Sequence, residues 1–284
     1  MPRRSKSRTP RPHKISTSSD QKKRRLRWAG FGLLALVALV AGSFLYFGLT
    51  SNGVEIDKSS NCPATGPRSY TAVIIDATDS INAVQKVAIG NELSRVRSEI
   101  PRYGALAIYA AGFKGELSRP AFAYCNPGHA DDINPLTEGT RLAEKKWKEG
   151  FEKPLDSVLQ GMLSASESNN TPLLEAIQSV SVQSFGPIRT AEKSSIPKRL
   201  IIVSDMLQNS ENLSLYSGIP VVQDFMKTQA YRRIKSDLDD VKVTILMIRR
   251  QTKKSIQGSE LIRFWEELIT GEGGRLVHFK PLEG

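Results

Sequence analysis

Two short apolar runs, each leading into an aspartate, constrain the fold of this chain more than any other feature. Tyr70–Ile75 (YTAVII) precedes Asp76, and Leu200–Val203 (LIIV) precedes Ser204 and Asp205. Apolar runs of this length, bounded by polar residues, are typical of strands buried on both faces of a parallel sheet. The carboxylates then lie where the strands leave the sheet, which is the edge where doubly wound α/β folds bind ligands.

The rest of the folded part alternates strand patterns with amphipathic helical patterns. This alternation predicts an α/β fold with a mostly parallel sheet and helices on both faces. Segment 241–248 (VKVTILMI) is short and β-branched, which favours a strand over a helix. The predicted strands are 69–76, 104–111, 198–204, 241–248 and 275–280, with an edge strand at 121–125 (AFAYC). The predicted helices are 81–99, 141–163 with a break at Pro154, 172–184, 220–237 and 258–270.

Nearly all of the net positive charge lies in the first 27 residues. The chain has a formal net charge of +11, but residues 1–27 hold eleven Lys or Arg and only one acid, Asp20, so the remainder carries +1. Nucleic-acid binding is therefore not expected of the folded domain. The tail is polar and lacks apolar periodicity, so we expect it to be disordered and to set topology beside anionic lipid headgroups. A nucleic-acid or cytoplasmic partner site in the tail is the alternative.

An uncharged stretch of 22 residues, Trp28–Leu49, follows the tail. As a helix it would be about 33 Å long, enough to cross the hydrocarbon core of a bilayer. Trp28 and Tyr46 stand near its two ends, where aromatic residues favour the membrane interface. A cleaved signal peptide is the competing interpretation. The 27-residue leader and the poor cleavage site at 48–51 favour an uncleaved anchor.

The flanking charges predict the orientation of this span. Lys22–Arg25 and Arg27 lie on its amino-terminal side, so the positive-inside rule places the tail in the cytoplasm. We therefore expect a single-pass inner-membrane protein whose carboxyl-terminal part is periplasmic. The predicted organisation is a tail at 1–27, a transmembrane helix at 28–49, a linker at 50–67 and one domain at 68–284. Oligomeric state is left open.

The chain has two cysteines, Cys62 and Cys125. Both fall on the extracytoplasmic side of the predicted span, where an even count indicates one disulfide. A metal site is not indicated for them, because no second Cys or His stands at ligand spacing. In a cytoplasmic domain the same two residues would be free thiols.

Five oxygen-bearing side chains follow strands or precede helices in this sequence: Asp76, Thr78, Ser80, Thr171 and Asp205. Oxygen-only ligands suit a hard divalent cation such as Mg²⁺ or Mn²⁺. Each residue alone has a simpler interpretation, since Ser80 and Thr171 could cap helices and Asp205 could be an ordinary loop carboxylate. The ordered combination is more specific and predicts a metal site.

This combination, Asp-x-Thr-x-Ser with a distant Thr and a distant Asp, resembles the metal-ion-dependent adhesion site of von Willebrand factor A-type (vWA) domains. The resemblance implies a Rossmann-like fold over about residues 68–284, with the five side chains named above around the cation. Two positions depart from the usual pattern: Thr78 replaces the commoner Ser, and Met206 follows Asp205 where Gly is usual. The anchored architecture is similar to bacterial single-pass proteins with an external domain of this type.

The resemblance implies a non-enzymatic adhesion or scaffold module of the cell envelope. A protein partner would supply an acidic residue that completes the shell of the cation. A structural or assembly protein with a non-essential metal site is the alternative. A metal-dependent hydrolase is less favoured, because His13, His129 and His278 are scattered and no hydrolase or phosphate-loop motif is present.

Overall fold

The computed structural model describes residues 18–50, 54–76, 78, 80–111, 119–132, 139–163, 171–187 and 196–283, with side chains of the first helix placed over 22–46. Within it, the chain forms two compact units, residues 1–54 and 55–284. The second unit begins within the segment predicted to be a linker. Residues 55–67 are therefore part of the domain.

The first unit contains one long helix, α1, at Ser18–Thr50. Its Lys22–Tyr46 segment is long and apolar enough to cross a membrane, and none of it is buried within the protein. Helix α1 begins ten residues before the predicted span, so residues 18–27 are helical where the sequence predicted disorder. Lys and Arg have high helix propensity, which allows an uncharged helix to continue into a basic segment. The remainder of the tail lies outside the described residues.

The second unit is built on one six-stranded sheet in the order β3-β2-β1-β4-β5-β6. Strand β3 is antiparallel to β2, and the other neighbours are parallel, which confirms the predicted mostly parallel sheet. The pairing of β5 with β6 shifts register between Val243 and Thr244. The strands are β1 Tyr70–Asp76, β2 Ala105–Ala111, β3 Phe122–Cys125, β4 Lys198–Ser204, β5 Val241–Ile248 and β6 Arg275–Leu282.

Helices cover both faces of this sheet. They are α2 Ala83–Ser98, α3 Thr140–Trp147, α4 Lys153–Met162, α5 Leu173–Val180, α6 Val222–Phe225, α7 Gln229–Ile234 and α8 Ser259–Gly271. π-helical turns at Lys148–Glu152 and Ser181–Phe185 continue α3 into α4 and extend α5. Single 3₁₀ turns occur at Ala130–Asp132, Leu215–Ser217 and Gln251–Lys253. The chain is therefore doubly wound, as the sequence predicted.

Side chains of the four central strands, β2, β1, β4 and β5, alternate between two buried clusters, one on each face of the sheet. Along β1, Val73 and Ile75 pack on one side with residues of α2 and α4, whereas Ala72 and Ile74 pack on the other with residues of α5 and α8. Burial on both faces explains why these four strands are almost continuously apolar in sequence.

The predicted helix over 220–237 was wrong in its continuity, because the structure has two short helices, α6 and α7, there. Thr228 causes the break: its hydroxyl donates to the Phe225 carbonyl (2.7 Å) and accepts from the Tyr231 N–H (3.1 Å). A threonine that bonds in this way caps a new helix. In segment 141–163 the helix is interrupted by the π-helical turn that directly precedes α4, and Pro154 lies in the first turn of α4.

Covalent and backbone ties hold the amino end of the strands. Cys62 and Cys125 form a disulfide with an S–S distance of 2.06 Å, which joins the segment before β1 to the end of β3. Lys198 is buried at the start of β4 and donates from Nζ to the Asp239 carbonyl (2.8 Å). These ties fasten the loops at this end to the sheet.

A buried carboxyl group, that of Glu272, also lies at the amino end. Its Oε1 accepts from the Ser236 N–H (3.0 Å), and its carbonyl accepts from the Leu238 N–H (2.8 Å). Burial raises the pKa of the Glu272 carboxyl to about 7, although the Ser236 N–H opposes this effect. The loop after α8 is thus joined to the segment before β5 through a group that titrates near neutrality.

Candidate functional site

The five predicted site residues lie at the carboxyl end of the strands, where the strand order reverses between β1 and β4. Asp76 is the last residue of β1, and Asp205 follows the last residue of β4. A switch point of this kind is where open α/β sheets bind ligands. Four of the five residues are buried, and Ser80 is exposed.

Asp76, Thr78 and Thr171 are joined by hydrogen bonds. Asp76 Oδ1 accepts from the Thr78 N–H (3.0 Å) and from the Thr78 hydroxyl (2.5 Å). The Thr78 and Thr171 hydroxyl oxygens are 2.8 Å apart. Because the Thr78 proton is directed to the carboxylate, the Thr171 hydroxyl donates to Thr78. Residues 93 positions apart in the sequence thus meet, as the motif predicted.

Ser204, which sequence reasoning missed, completes this cluster. Its hydroxyl donates to Asp76 Oδ2 (2.7 Å) and accepts from the Met206 N–H (2.9 Å). In these hydrogen bonds the Asp76 carboxylate accepts from neutral hydroxyl and amide donors. Asp76, Thr78, Thr171 and Ser204 are called the hydroxyl–carboxylate cluster below.

The helix-cap alternatives for Ser80 and Thr171 are wrong. Helix α2 is capped by Asn82, whose side chain accepts from the Gln85 N–H (2.9 Å) and whose N–H donates to the Gln85 side chain (3.4 Å). Helix α5 begins after Pro172 with no side-chain cap. The hydroxyl of Thr171 contacts the Thr78 hydroxyl instead.

The Thr171 backbone is held against the loop that follows β4. Its N–H donates to the Asn209 carbonyl (2.9 Å), and its carbonyl accepts from the Asn209 N–H (3.0 Å). Gln208, which is fully buried, accepts from the Leu174 N–H (2.9 Å) and donates to the Glu175 carboxylate (3.0 Å). These bonds fix the distance between the Thr171 hydroxyl and the end of β4.

Met206 has the left-handed backbone conformation, with φ +64°, that glycine would adopt more readily at this position. Its side chain is fully buried, and its carbonyl accepts from Trp265 Nε1 (2.9 Å). Packing and this hydrogen bond therefore hold a conformation that costs about 1 kcal/mol in a residue with a Cβ atom. Methionine thus occupies a position whose backbone conformation favours glycine.

Asp205 is held differently from Asp76. Its Oδ1 accepts from the Leu207 N–H (2.9 Å), and its Oδ2 lies 3.7 Å from Nε of Arg250. The Arg250 guanidinium also donates to the Ser80 carbonyl through Nη1. No hydrogen bond joins the Ser80 hydroxyl to the other four predicted ligands among the described residues. A guanidinium thus links the two predicted ligands that lie outside the hydroxyl–carboxylate cluster.

Gln257, also missed from the sequence, positions the Asp205 and Arg250 backbones. Its Nε2 donates to the carbonyls of Asp205 (3.0 Å) and Ile248 (2.8 Å), and its Oε1 accepts from the Arg250 N–H (2.7 Å). The side chain is 1% exposed. One buried amide therefore ties the ends of β4 and β5 together beside the site.

The oxygen atoms present fit a hard divalent cation. Two oxygens bound to one Mg²⁺ at adjacent octahedral positions lie about 3 Å apart, since each bond is about 2.1 Å. The Thr78 and Thr171 hydroxyl oxygens are already 2.8 Å apart, with the Asp76 carboxylate beside them. The donor set of two carboxylates and three hydroxyls is of the kind that Mg²⁺ and Mn²⁺ prefer.

No protein-family model and no curated protein matches this chain. Solved structures similar to it include the VWA domain of SpRpn10, at 10% identity and a TM-score of 0.39, covering 76% of this chain and 88% of that one. Another is the conserved hypothetical protein BatB from Bacteroides thetaiotaomicron, at 12% identity and a TM-score of 0.33, covering 76% and 91%.

A third is an aerotolerance-related membrane protein from Bacteroides fragilis NCTC 9343, crystallised with multiple mutations to serines, at 10% identity and a TM-score of 0.32, covering 75% and 90%. The fold of the present chain is established by its own sheet, whose strand order places the motif residues at the switch point.

Proposed function

We propose that this chain is a membrane-anchored binding module that takes a protein partner at the carboxyl end of its sheet through a divalent cation. Asp76, Thr78, Ser80, Thr171 and Asp205 would hold Mg²⁺ or Mn²⁺ there. The observation that carries the proposal is the meeting of Asp76, Thr78 and Thr171 in one buried cluster, with oxygen atoms spaced as ligands of a single ion.

The cation would supply a positive charge, and a carboxylate of the partner would complete its coordination shell. Hydroxyl ligands are neutral, so an ion held largely by them stays electron-poor and favours an incoming acidic side chain. Thr78 and Thr171 orient their oxygens, and Asp76 directs the Thr78 hydroxyl through its hydrogen bond. The proposal therefore makes partner binding depend on the metal.

A binding role is preferred to a hydrolase because the described histidines lie outside the site. His129 faces Asp131, at 3.4 Å, and the Trp147 ring, and His278 is exposed on β6. A metal-assisted hydrolase needs a positioned base beside the metal. The proposal therefore assigns no catalytic residue.

The proposed location places the folded domain in the periplasm and the basic tail in the cytoplasm. The disulfide between Cys62 and Cys125 supports this side of the membrane, since such bonds persist in oxidising compartments. Thiol labelling of the full chain in spheroplasts tests it. Both cysteines should resist labelling until a reductant is added, whereas labelling without reductant would place the domain in the cytoplasm.

The binding proposal is tested with the full chain in detergent as bait for an envelope extract. Captured proteins are compared in Mn²⁺, in Mg²⁺, in chelator and with the Asp76→Asn variant. A protein retained only by the wild-type chain with metal supports the proposal. Capture that ignores both chelator and Asp76→Asn would favour a structural surface over a metal-dependent site, and turnover of an added substrate would favour an enzyme.

A further inference from the structure

Arg250 places a fixed positive charge inside the site. It lies two residues beyond β5, where Gln257 holds its N–H (2.7 Å), and its side chain is 14% exposed. Its guanidinium contacts the Asp205 carboxylate and the Ser80 carbonyl. The residue is therefore directed into the site by its backbone and by its side-chain contacts.

Arg250 supplies a positive charge beside the buried Asp205 carboxylate. Asp205 is 3% exposed and has the Arg250 cation 3.7 Å from Oδ2. Buried carboxylates are stabilised by an opposite charge at this distance. Arg250 therefore acts as a counter-ion of the Asp205 carboxylate.

We propose that Arg250 and a divalent cation compete for the Asp205 carboxylate, so that Arg250 sets the metal affinity of the site. This inference rests on the proposed metal-binding function. Without metal, the guanidinium contacts the Asp205 carboxylate and the Ser80 backbone carbonyl. A cation that approaches Asp205 meets a like charge within a few ångströms, so binding requires the guanidinium to move away from Oδ2.

The test is a Mn²⁺ titration of the full chain in detergent, followed by calorimetry, with three variants. Arg250→Gln removes the charge, and we expect it to bind Mn²⁺ at least about tenfold more tightly than the wild type. Arg250→Lys keeps a charge that cannot reach both groups at once, and we expect about threefold tighter binding. Arg95→Gln removes one positive charge from α2 far along the helix from the site and should bind like the wild type.

Thermal melting supplies a second readout that distinguishes competition from a purely structural ion pair. In chelator, Arg250→Gln should melt below the wild type, because Asp205 loses its counter-ion. Saturating Mn²⁺ should restore most of this difference, because the metal replaces the lost charge. A loss of melting temperature that Mn²⁺ does not restore would mean that Arg250 only supports the fold.

The outcomes separate this inference from the proposed function. Tighter binding by Arg250→Gln, or binding by this variant alone, supports competition. Equal or weaker binding, or an equal gain in Arg95→Gln, overturns it while leaving the metal site intact. Absence of Mn²⁺ binding in every variant overturns both. If Arg250→Gln does not fold, Arg250→Lys decides, and affinity equal to the wild type then counts against competition.

Discussion

The two ends of the parallel strands are stabilised by different means. At the amino end, the ties are a disulfide, a buried lysine on a backbone carbonyl, and the Glu272 carboxyl on a backbone N–H. At the carboxyl end, two aspartates are held by hydroxyls, an amide side chain and a guanidinium. Hydroxyl and guanidinium partners can be exchanged for a cation, whereas a disulfide cannot. We therefore expect substitutions at the amino end to change stability most, and those at the carboxyl end to change the response to metal.

The largest expected effect on stability is the loss of the disulfide. Cys62→Ser opens a loop of 63 residues, and the chain-entropy model gives about 4 kcal/mol of lost free energy of unfolding. Urea unfolding of the full chain in detergent measures this loss. Reduced wild type and Cys62→Ser should unfold at the same urea concentration; a variant as stable as the oxidised wild type would break the contrast between the two ends.

The next effect is a pH dependence caused by Glu272. Its folded pKa of about 7 lies above the ordinary glutamate value of 4.5, so the folded chain binds more protons than the unfolded chain between these pH values. The stabilisation is fully present below about pH 4.5 and is lost as the pH rises through about 7, a change of about 3 kcal/mol in the free energy of unfolding. Glu272→Gln should remove this dependence, measured by urea unfolding at several pH values. Glu266→Gln, on the exposed face of α8, should keep it.

A smaller loss is expected at the carboxyl end from Gln257→Ala. The variant leaves the Asp205 and Ile248 carbonyls without their amide donor, which costs about 2 kcal/mol. Gln223→Ala on the exposed surface of α6 should change stability by less than about 0.5 kcal/mol. Urea midpoints compare the two, and equal midpoints would contradict the role given to Gln257.

The smallest change in stability is expected from Asp76→Asn, by about 1 kcal/mol, because the amide keeps one oxygen to accept from Thr78. The same variant should lose the rise in melting temperature that Mn²⁺ gives the wild type. Asp76→Asn would then remove the response to Mn²⁺ while keeping most of the stability. A large loss of stability in Asp76→Asn together with an unchanged response to Mn²⁺ would contradict the different roles given to the two ends of the strands.

The strands and the motif residues could be predicted because their signals are local. Asp76 and Asp205 each follow an apolar run, and the carboxyl ends of parallel strands meet at one edge. The same rule would have pointed to Arg250, which follows the run at 241–248, but a basic pair after a strand has the appearance of exposed surface. Gln257 and Ser204 could not be predicted, because their role depends on which carbonyls and carboxylates the fold brings to them.

The helix boundaries depend on tertiary contacts more than the strands do, so they could be predicted less well from the sequence. Thr228 divides the 220–237 segment by bonding backbone groups on both sides, and the sequence gives only a weak cap signal for it. The segment before β1 has the composition of a linker. The disulfide between Cys62 and Cys125 and the hydrogen bond from the Cys125 N–H to the Ser60 carbonyl (2.8 Å) make it part of the domain.

The register shift between β5 and β6 makes one edge of the sheet irregular, and this affects whether neighbouring copies of the chain aggregate. Strand β6 is at one edge of the sheet and carries Pro281 and Lys280, and the short β3 is at the other edge. An irregular, charged or brief edge is a poor template for a strand from another molecule. If α1 gathers the chains on a membrane surface, their local concentration rises, and such edges would keep neighbouring sheets from fusing into aggregates.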